Sequence, residues 1–362
     1  MAPAAALRKR LGEIYPGAAV EEIRLLDPDV GGDTEGAVKD IGYGSPLRVT
    51  IREANGTRRS LVFHTANAND FDHDRRSDRA KNMLLAYDTF GLVPNHVSAV
   101  DVGAITDDGE LMSLAKAGEF YLLTDFANGD IYATDLRRIA TKHTLTKRDE
   151  ARCDRLTAAL VSLHGNKEGR PAVYRRAIRN LVGDGEGIFG MIDGYPPGTP
   201  AAPPARLKKI EELCSEWRWK LRPQEGRCSR IHGDFHPFNI LFEDHDTLYL
   251  LDASRGCHGD PADDVTCLVI NYLFFALDQP GAWTAGLQTL WKRFWRTYLN
   301  ETRDEEDLLV APPYFTWRAL VLANPAWYPA LKPAARDALL GFAQQTLEAG
   351  ALDPDRAEAL FA

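Results

Sequence analysis

Asp234, Asn239 and Asp252 have the side-chain types and spacing to do chemistry. Asp234 and Asn239 are separated by four residues in the run His232-Gly-Asp-Phe-His-Pro-Phe-Asn239, and Asp252 follows the apolar run Leu248-Tyr-Leu-Leu251. In phosphoryl transfer, one carboxylate accepts the proton of an attacking hydroxyl, while an amide oxygen close by and a second carboxylate hold Mg²⁺. Mg²⁺ prefers hard oxygen donors and shares its octahedral shell among one or two carboxylates, waters and phosphates. The apolar runs 240–242 and 247–251 are split by the polar turn Glu243-Asp-His-Asp246, a hairpin signal that returns Asp252 to the side of Asn239. A lone Asp at a turn or strand end ordinarily bonds to backbone, so the argument rests on all three residues together.

These residues resemble the aminoglycoside phosphotransferase and choline kinase-like small-molecule kinases, whose members carry an HGDxHxxN loop followed by an apolar strand ending in Asp. Here the loop is His232 to Asn239 and the strand ends at Asp252. The resemblance implies an α/β (α+β) chain with a two-lobed protein-kinase-like fold. A small N-terminal lobe with an antiparallel sheet, residues 1–125, would bind the nucleotide, which would lie between the lobes. A larger helical lobe, residues 126–362, would hold the catalytic loop and the acceptor site. By the same resemblance Asp234 is the catalytic residue and Asn239 and Asp252 are the Mg²⁺ ligands. The reaction implied moves the γ-phosphoryl group of ATP, or of GTP, to a hydroxyl of a small molecule such as an aminoglycoside, an amino sugar or a choline-like alcohol. In the family, a Gly-Asp-Pro segment and a following Asp, here Gly259-Asp-Pro261 and Asp264, brace the catalytic loop. Read for itself, Asp260 before Pro261 is a helix N-cap.

The elements that must position these residues follow in order. Residues 4–14 read as an amphipathic helix and 21–26 as a strand leading into a glycine-rich loop with Gly31 and Gly32. Glycine lets backbone N–H groups approach phosphates closely, although Gly-Gly is equally an ordinary turn pair. Runs 47–52 and 60–64, joined at Asn55-Gly56, read as a hairpin. Kinases of this type place a Lys at the end of that third strand and a Glu on the next helix. The sequence departs from this pattern with His64, and with Asp74 and Asp78 on a helix over 72–87. A histidinium can replace the ammonium, or Arg75, Arg76 or Lys81 can reach the phosphates instead. Residues 97–105 and 119–129 read as the last two strands of the small sheet. The resemblance seats adenine on the backbone of Asp125 and Ala127, with Leu123 beside the base.

From about residue 130 the period is helical, with helices over 150–164, 173–182 and 206–219 and a Pro-rich stretch at 195–204. His164 reads as structural. Leu287, Leu290, Trp291, Phe294, Trp295 and Tyr298 recur at helical spacing and read as core. The resemblance offers Arg318, Trp327 and Tyr328 as acceptor-side candidates.

Composition narrows the classes. A net charge of −9 disfavours a nucleic-acid partner, whose phosphates need a cationic surface. No run reaches the roughly 18 apolar residues of a membrane span, and the start lacks the charge order of a secretory signal, so a cytoplasmic protein without a membrane partner is expected. Five cysteines without zinc spacing read as reduced thiols in or near the core. Two other readings remain open: a pseudokinase that binds a nucleotide or partner without turnover, favoured by His64, and a transferase of nucleotidyl groups.

Overall fold

In 4–14, Ala6, Leu7 and Leu11 share one face, and this is the face that helix α1 (Ala4–Ile14) buries in the computed structural model of the protein, which describes residues 4–25, 46–243, 246–253 and 255–361. The chain divides into two compact units, Met1–Thr124 and Asp125–Ala362. In the first, strands β1 (Ala19–Leu25), β2 (Leu47–Arg52) and β3 (Arg58–Phe63) form an antiparallel sheet in the order β1-β2-β3. The β2 run alternates so that Val49 and Ile51 are buried, and they close a small core with Leu7 and Leu11. The β2–β3 turn falls at Asn55-Gly56, where Gly56 takes the left-handed φ of +85° and the Asn55 side chain accepts from the Thr57 N–H. Helix α2 (Arg76–Thr89) follows, then the pair β4 (Gly103–Ile105) and β5 (Leu111–Ser113).

Two expected strands are corrected here. Of 97–105 only Gly103–Ile105 is strand, and it pairs with β5 rather than with 119–129. No described strand pairs with 119–128, whose side chains Tyr121, Leu122, Leu123 and Phe126 are all exposed. The apolar run there reflects no alternation between a core face and a solvent face, which is what fixes a strand in register. The expected helix over 72–87 begins at Arg76, where the Arg75 N–H is capped by the Asp78 carboxylate.

The second unit is built on helices. A three-stranded sheet of β6 (Asp130–Ile131), β8 (Ile240–Phe242) and β9 (Leu248–Leu250), in the order β6-β8-β9, and a short pair of β7 (Ser229–Arg230) with β10 (His258–Gly259) frame the catalytic stretch. Around them run α3 (Tyr132–Lys142), α4 (Lys147–His164), α5 (Pro171–Gly183), α6 (Ile188–Asp193), α7 (Pro204–Leu221), α8 (Pro261–Asp278), α9 (Gln288–Thr302), α10 (Glu306–Ala323) and α11 (Pro333–Ala349). The aromatic stripe of α9 is core, as its spacing predicts: Trp291, Phe294, Trp295 and Tyr298 are all buried. Helices α8 and α10 are buried along most of their length and lie at the centre of this unit. Pro312 inside α10 has no N–H to offer Leu308, and the Leu308 carbonyl instead accepts from the Leu352 N–H at 2.8 Å. Four of the five free thiols are buried, and Cys257 is exposed.

Candidate active site

The loop between β7 and β8 is wound on its own backbone. The His236 N–H donates to the Asp234 carbonyl and the Asn239 N–H to the His236 carbonyl, each at 2.9 Å. Gly233 takes the left-handed φ of +84°, and a Cβ there would lie 3.2 Å from the Gly256 carbonyl oxygen. This turn aims two successive amides inward. Asp264, fully buried in the first turn of α8, accepts the His232 N–H at 2.7 Å on Oδ2 and the Gly233 N–H at 2.8 Å on Oδ1. The brace implied for Asp264 is therefore a pair of charge-assisted hydrogen bonds. Oδ2 also receives His164 Nε2 at 3.2 Å, which leaves His164 Nδ1 to accept from the Tyr298 hydroxyl at 2.7 Å. His164 is thus a core link, the structural role its place at the end of α4 predicts. Asp260 caps α8 by accepting the Ala262 N–H at 3.0 Å, and buried Arg227 bridges it to Asp307.

The hairpin β8–β9 has the register expected of it. Ile240 pairs with Leu250, and the Leu251 N–H donates to the Asn239 carbonyl at 2.8 Å, so Asp252 follows directly beside Asn239. Asp252 has the left-handed φ of +58° and an exposed side chain. Asn239 Nδ2 donates to the Asp234 carbonyl at 3.1 Å and approaches Asp234 Oδ2 at 3.4 Å, which turns its amide oxygen away from Asp234. The backbone therefore brings the segments that carry Asp234, Asn239 and Asp252 to one end of one hairpin.

Asp234 Oδ1 accepts from Arg318 Nη1 at 2.8 Å, and Arg255 Nε lies 3.9 Å away. His236 Nε2 is 3.6 Å from Oδ2. Burial by itself would raise the Asp234 pKa, but the charges of Arg318, His236 and Arg255 outweigh it and hold the carboxyl below its ordinary value. Burial lowers the His236 pKa despite Asp234, favouring the neutral imidazole. Burial likewise pushes the neighbouring Asp263 carboxyl up, to about 6, against the opposing pull of Arg318.

The remaining sequence candidates fall elsewhere. His64 directly follows β3, and Leu123 is 87% exposed in the unpaired stretch that continues through Asp125 and Ala127. Gly31 and Gly32 lie outside the described residues. Trp327 is exposed and Tyr328 packs edge-on against Phe274, while Arg318 is buried and bound to Asp234. Sequence reasoning missed Asp263, Arg255 and Trp317 around the carboxylate. The available signal was Arg318 itself, a single cation in the apolar run 314–323, which cannot be buried without an acid to pair with.

A family model described as APH: Phosphotransferase enzyme family matches residues 56–309. Similar solved structures include a glucosamine kinase, at 14% identity over 93% of this chain and 97% of that one, with a TM-score of 0.39. An ethanolamine kinase of Plasmodium vivax is 12% identical over 93% of this chain and 84% of its own, with a TM-score of 0.36. The choline kinase LicA of Streptococcus pneumoniae is 12% identical over 95% and 98%, with a TM-score of 0.34. No curated protein matches the chain.

Proposed function

The chain belongs to the phosphotransferase enzyme family, and from that premise we propose that it moves the γ-phosphoryl group of ATP, or of GTP, to a hydroxyl of a small molecule. The observations that support this reading are the Asn239–Asp234 contact in the catalytic loop, the hairpin pairing that returns the chain toward Asn239 just before Asp252, and an Asp234 carboxyl held below its ordinary pKa. Asp234 orients the acceptor hydroxyl and takes its proton as the phosphoryl group departs. A carboxylate held below its ordinary pKa is a weak base, so orientation outweighs early deprotonation.

The donor chemistry fits Mg²⁺. Asn239 has an amide oxygen turned away from Asp234, and the Asp252 carboxylate has no described hydrogen-bond partner, so both oxygens are free to coordinate. Mg²⁺ commonly shares its shell between one or two protein oxygens, waters and nucleotide phosphates, so two protein ligands are enough for this reading. When bound, the ion supplies charge neutralisation for the phosphates. The nucleotide contacts proposed are Gly31, Gly32, His64, Leu123, Asp125 and Ala127, with His64 standing where relatives have Lys.

The test is ADP release from ATP across a panel of hydroxylated amines and sugars, with and without Mg²⁺. We expect Mg²⁺-dependent, acceptor-dependent release that falls about a hundred- to ten-thousandfold in Asp234→Ala. Equal background rates in the parent and Asp234→Ala would overturn the reading in favour of a nucleotide-binding module without turnover. Label from α-³²P carried onto the product, with γ-³²P leaving in pyrophosphate, would show nucleotidyl rather than phosphoryl transfer.

A further inference from the structure

Helix α10 brings one cation to the catalytic loop across 84 positions of sequence, and its three contacts all serve that loop or its support. Arg318 Nη1 donates to Asp234 Oδ1 at 2.8 Å. Nη2 donates to the Gly233 carbonyl at 3.0 Å and to Asp263 Oδ1 at 2.7 Å. The guanidinium lies over the Trp317 ring, 3.8 Å from its centroid, and Arg255 lies 4.9 Å from the same centroid. Trp317 is itself fixed, since its indole N–H donates to the Glu186 carbonyl at 2.8 Å, while the Glu186 carboxylate pairs with Arg255 at 2.9 Å.

We propose that Arg318 is a positioning residue for the phosphotransfer: it pins Asp234 through Oδ1 and the Gly233 carbonyl, so that Oδ2 is the oxygen presented to the acceptor hydroxyl. This rests on the phosphotransferase reading of Asp234. The argument is one of geometry. Oδ1 is occupied by the short bond from Arg318, with Arg255 and the Cys267 thiol each 3.9 Å away. Among the described residues Oδ2 has only longer approaches, from Asn239 at 3.4 Å and His236 at 3.6 Å. A carboxylate otherwise free to rotate about its side-chain bonds has one oxygen committed and one left for substrate. A planar guanidinium with several donors can hold a carboxylate, a carbonyl and a second carboxylate at fixed angles, which a Lys ammonium cannot. Asp263 at the base of α8 anchors the fork from the other side. The resemblance that offered Arg318 as an acceptor ligand is thereby replaced: its effect on substrate runs through Asp234.

Two experiments on the full chain test this. The first needs no turnover: urea denaturation of Arg318→Gln, Asp234→Asn and the double variant. We expect the double variant to fall short of the sum of the single shifts, because each single change already breaks the same tie; additive shifts would overturn the tie. The second compares kcat and acceptor KM of Arg318→Lys, which keeps the charge, with those of Arg318→Gln. We expect kcat to fall about tenfold for Lys and further for Gln, with KM for the acceptor within about twofold of the parent. A raised KM at parental kcat would make Arg318 an acceptor ligand, and parental kcat in Arg318→Lys would remove the need for a fork; either result sinks the proposal. If Arg318→Gln fails to fold, Arg318→Lys still decides. If the parent itself transfers no phosphate to any acceptor, the phosphotransferase reading fails while the denaturation cycle still judges the tie.

Discussion

Asp263 is a carboxyl that folding keeps from ionising easily. Its side chain is 15% exposed, and burial lifts its pKa from 3.8 to about 6 even with Arg318 at 2.7 Å. A carboxyl raised in the folded state binds more protons folded than unfolded between these two values. Stability attributable to it is therefore present below the ordinary value and is lost as pH rises through about 6. The displacement corresponds to about 3 kcal/mol at most. Asp263→Asn should accordingly lose less stability than the parent between pH 4 and pH 7, measured as the difference in urea midpoints, and parallel curves would contradict the assignment. At this scale the sequence told only part of the site. Asp234, Asn239 and Asp252 were legible because a short loop and a hairpin bring them together by local rules. Arg318 was offered only as an acceptor-side candidate by resemblance; its choice of Asp234 and Asp263 depends on how two distant helices pack, and no spacing records that.

The hairpin β8–β9, the capped start of α8 and the helical periods of α4, α5, α7 and α9 could all be read in advance, since each follows from turn chemistry or from one apolar face. The strands beyond α2 could not. Residues 119–128 are apolar without alternation and stay unpaired with any described strand, so composition resembled a strand where register was missing. What makes the catalytic loop a defined element is the clasp by Asp264, the role anticipated from the Gly-Asp-Pro segment. Removing it in Asp264→Ala leaves the buried His232 and Gly233 amides without partners and frees His164 from one of its two bonds. The expected cost is about 3 kcal/mol or more, read from chemical denaturation, with activity falling further than Arg318→Lys because the loop backbone itself is released. A change below about 0.5 kcal/mol would show the loop to be held by other means.

Over the whole chain, the second unit contains every residue proposed to touch the metal or the acceptor, whereas the nucleotide contacts are proposed mainly from the first. If the nucleotide reading holds, Mg²⁺-ATP binds the folded protein and not the unfolded one. At about a hundred times its Kd it should then add about 2.7 kcal/mol of stability. In a chain of this size that raises Tm by several degrees, and chelating the Mg²⁺ should remove most of the rise. An unchanged Tm at saturating Mg²⁺-ATP would argue against the assigned contacts. The onset of helices near residue 130 was legible from the change of hydrophobic period, because local patterning reports where strands give way to helices. Which residues of the first unit face a ligand was not legible, since backbone contacts leave no side-chain signature.

The left-handed turn at Gly233 has a consequence for inheritance. Any glycine codon tolerates every change at its third base, and no replacement produced at the first two bases lacks a Cβ. Each missense allele at this codon therefore places a carbon about 3.2 Å from the Gly256 carbonyl oxygen, in a backbone conformation that L side chains rarely adopt, one residue before Asp234. Variation in a population at this codon is confined to silent alleles and damaging ones.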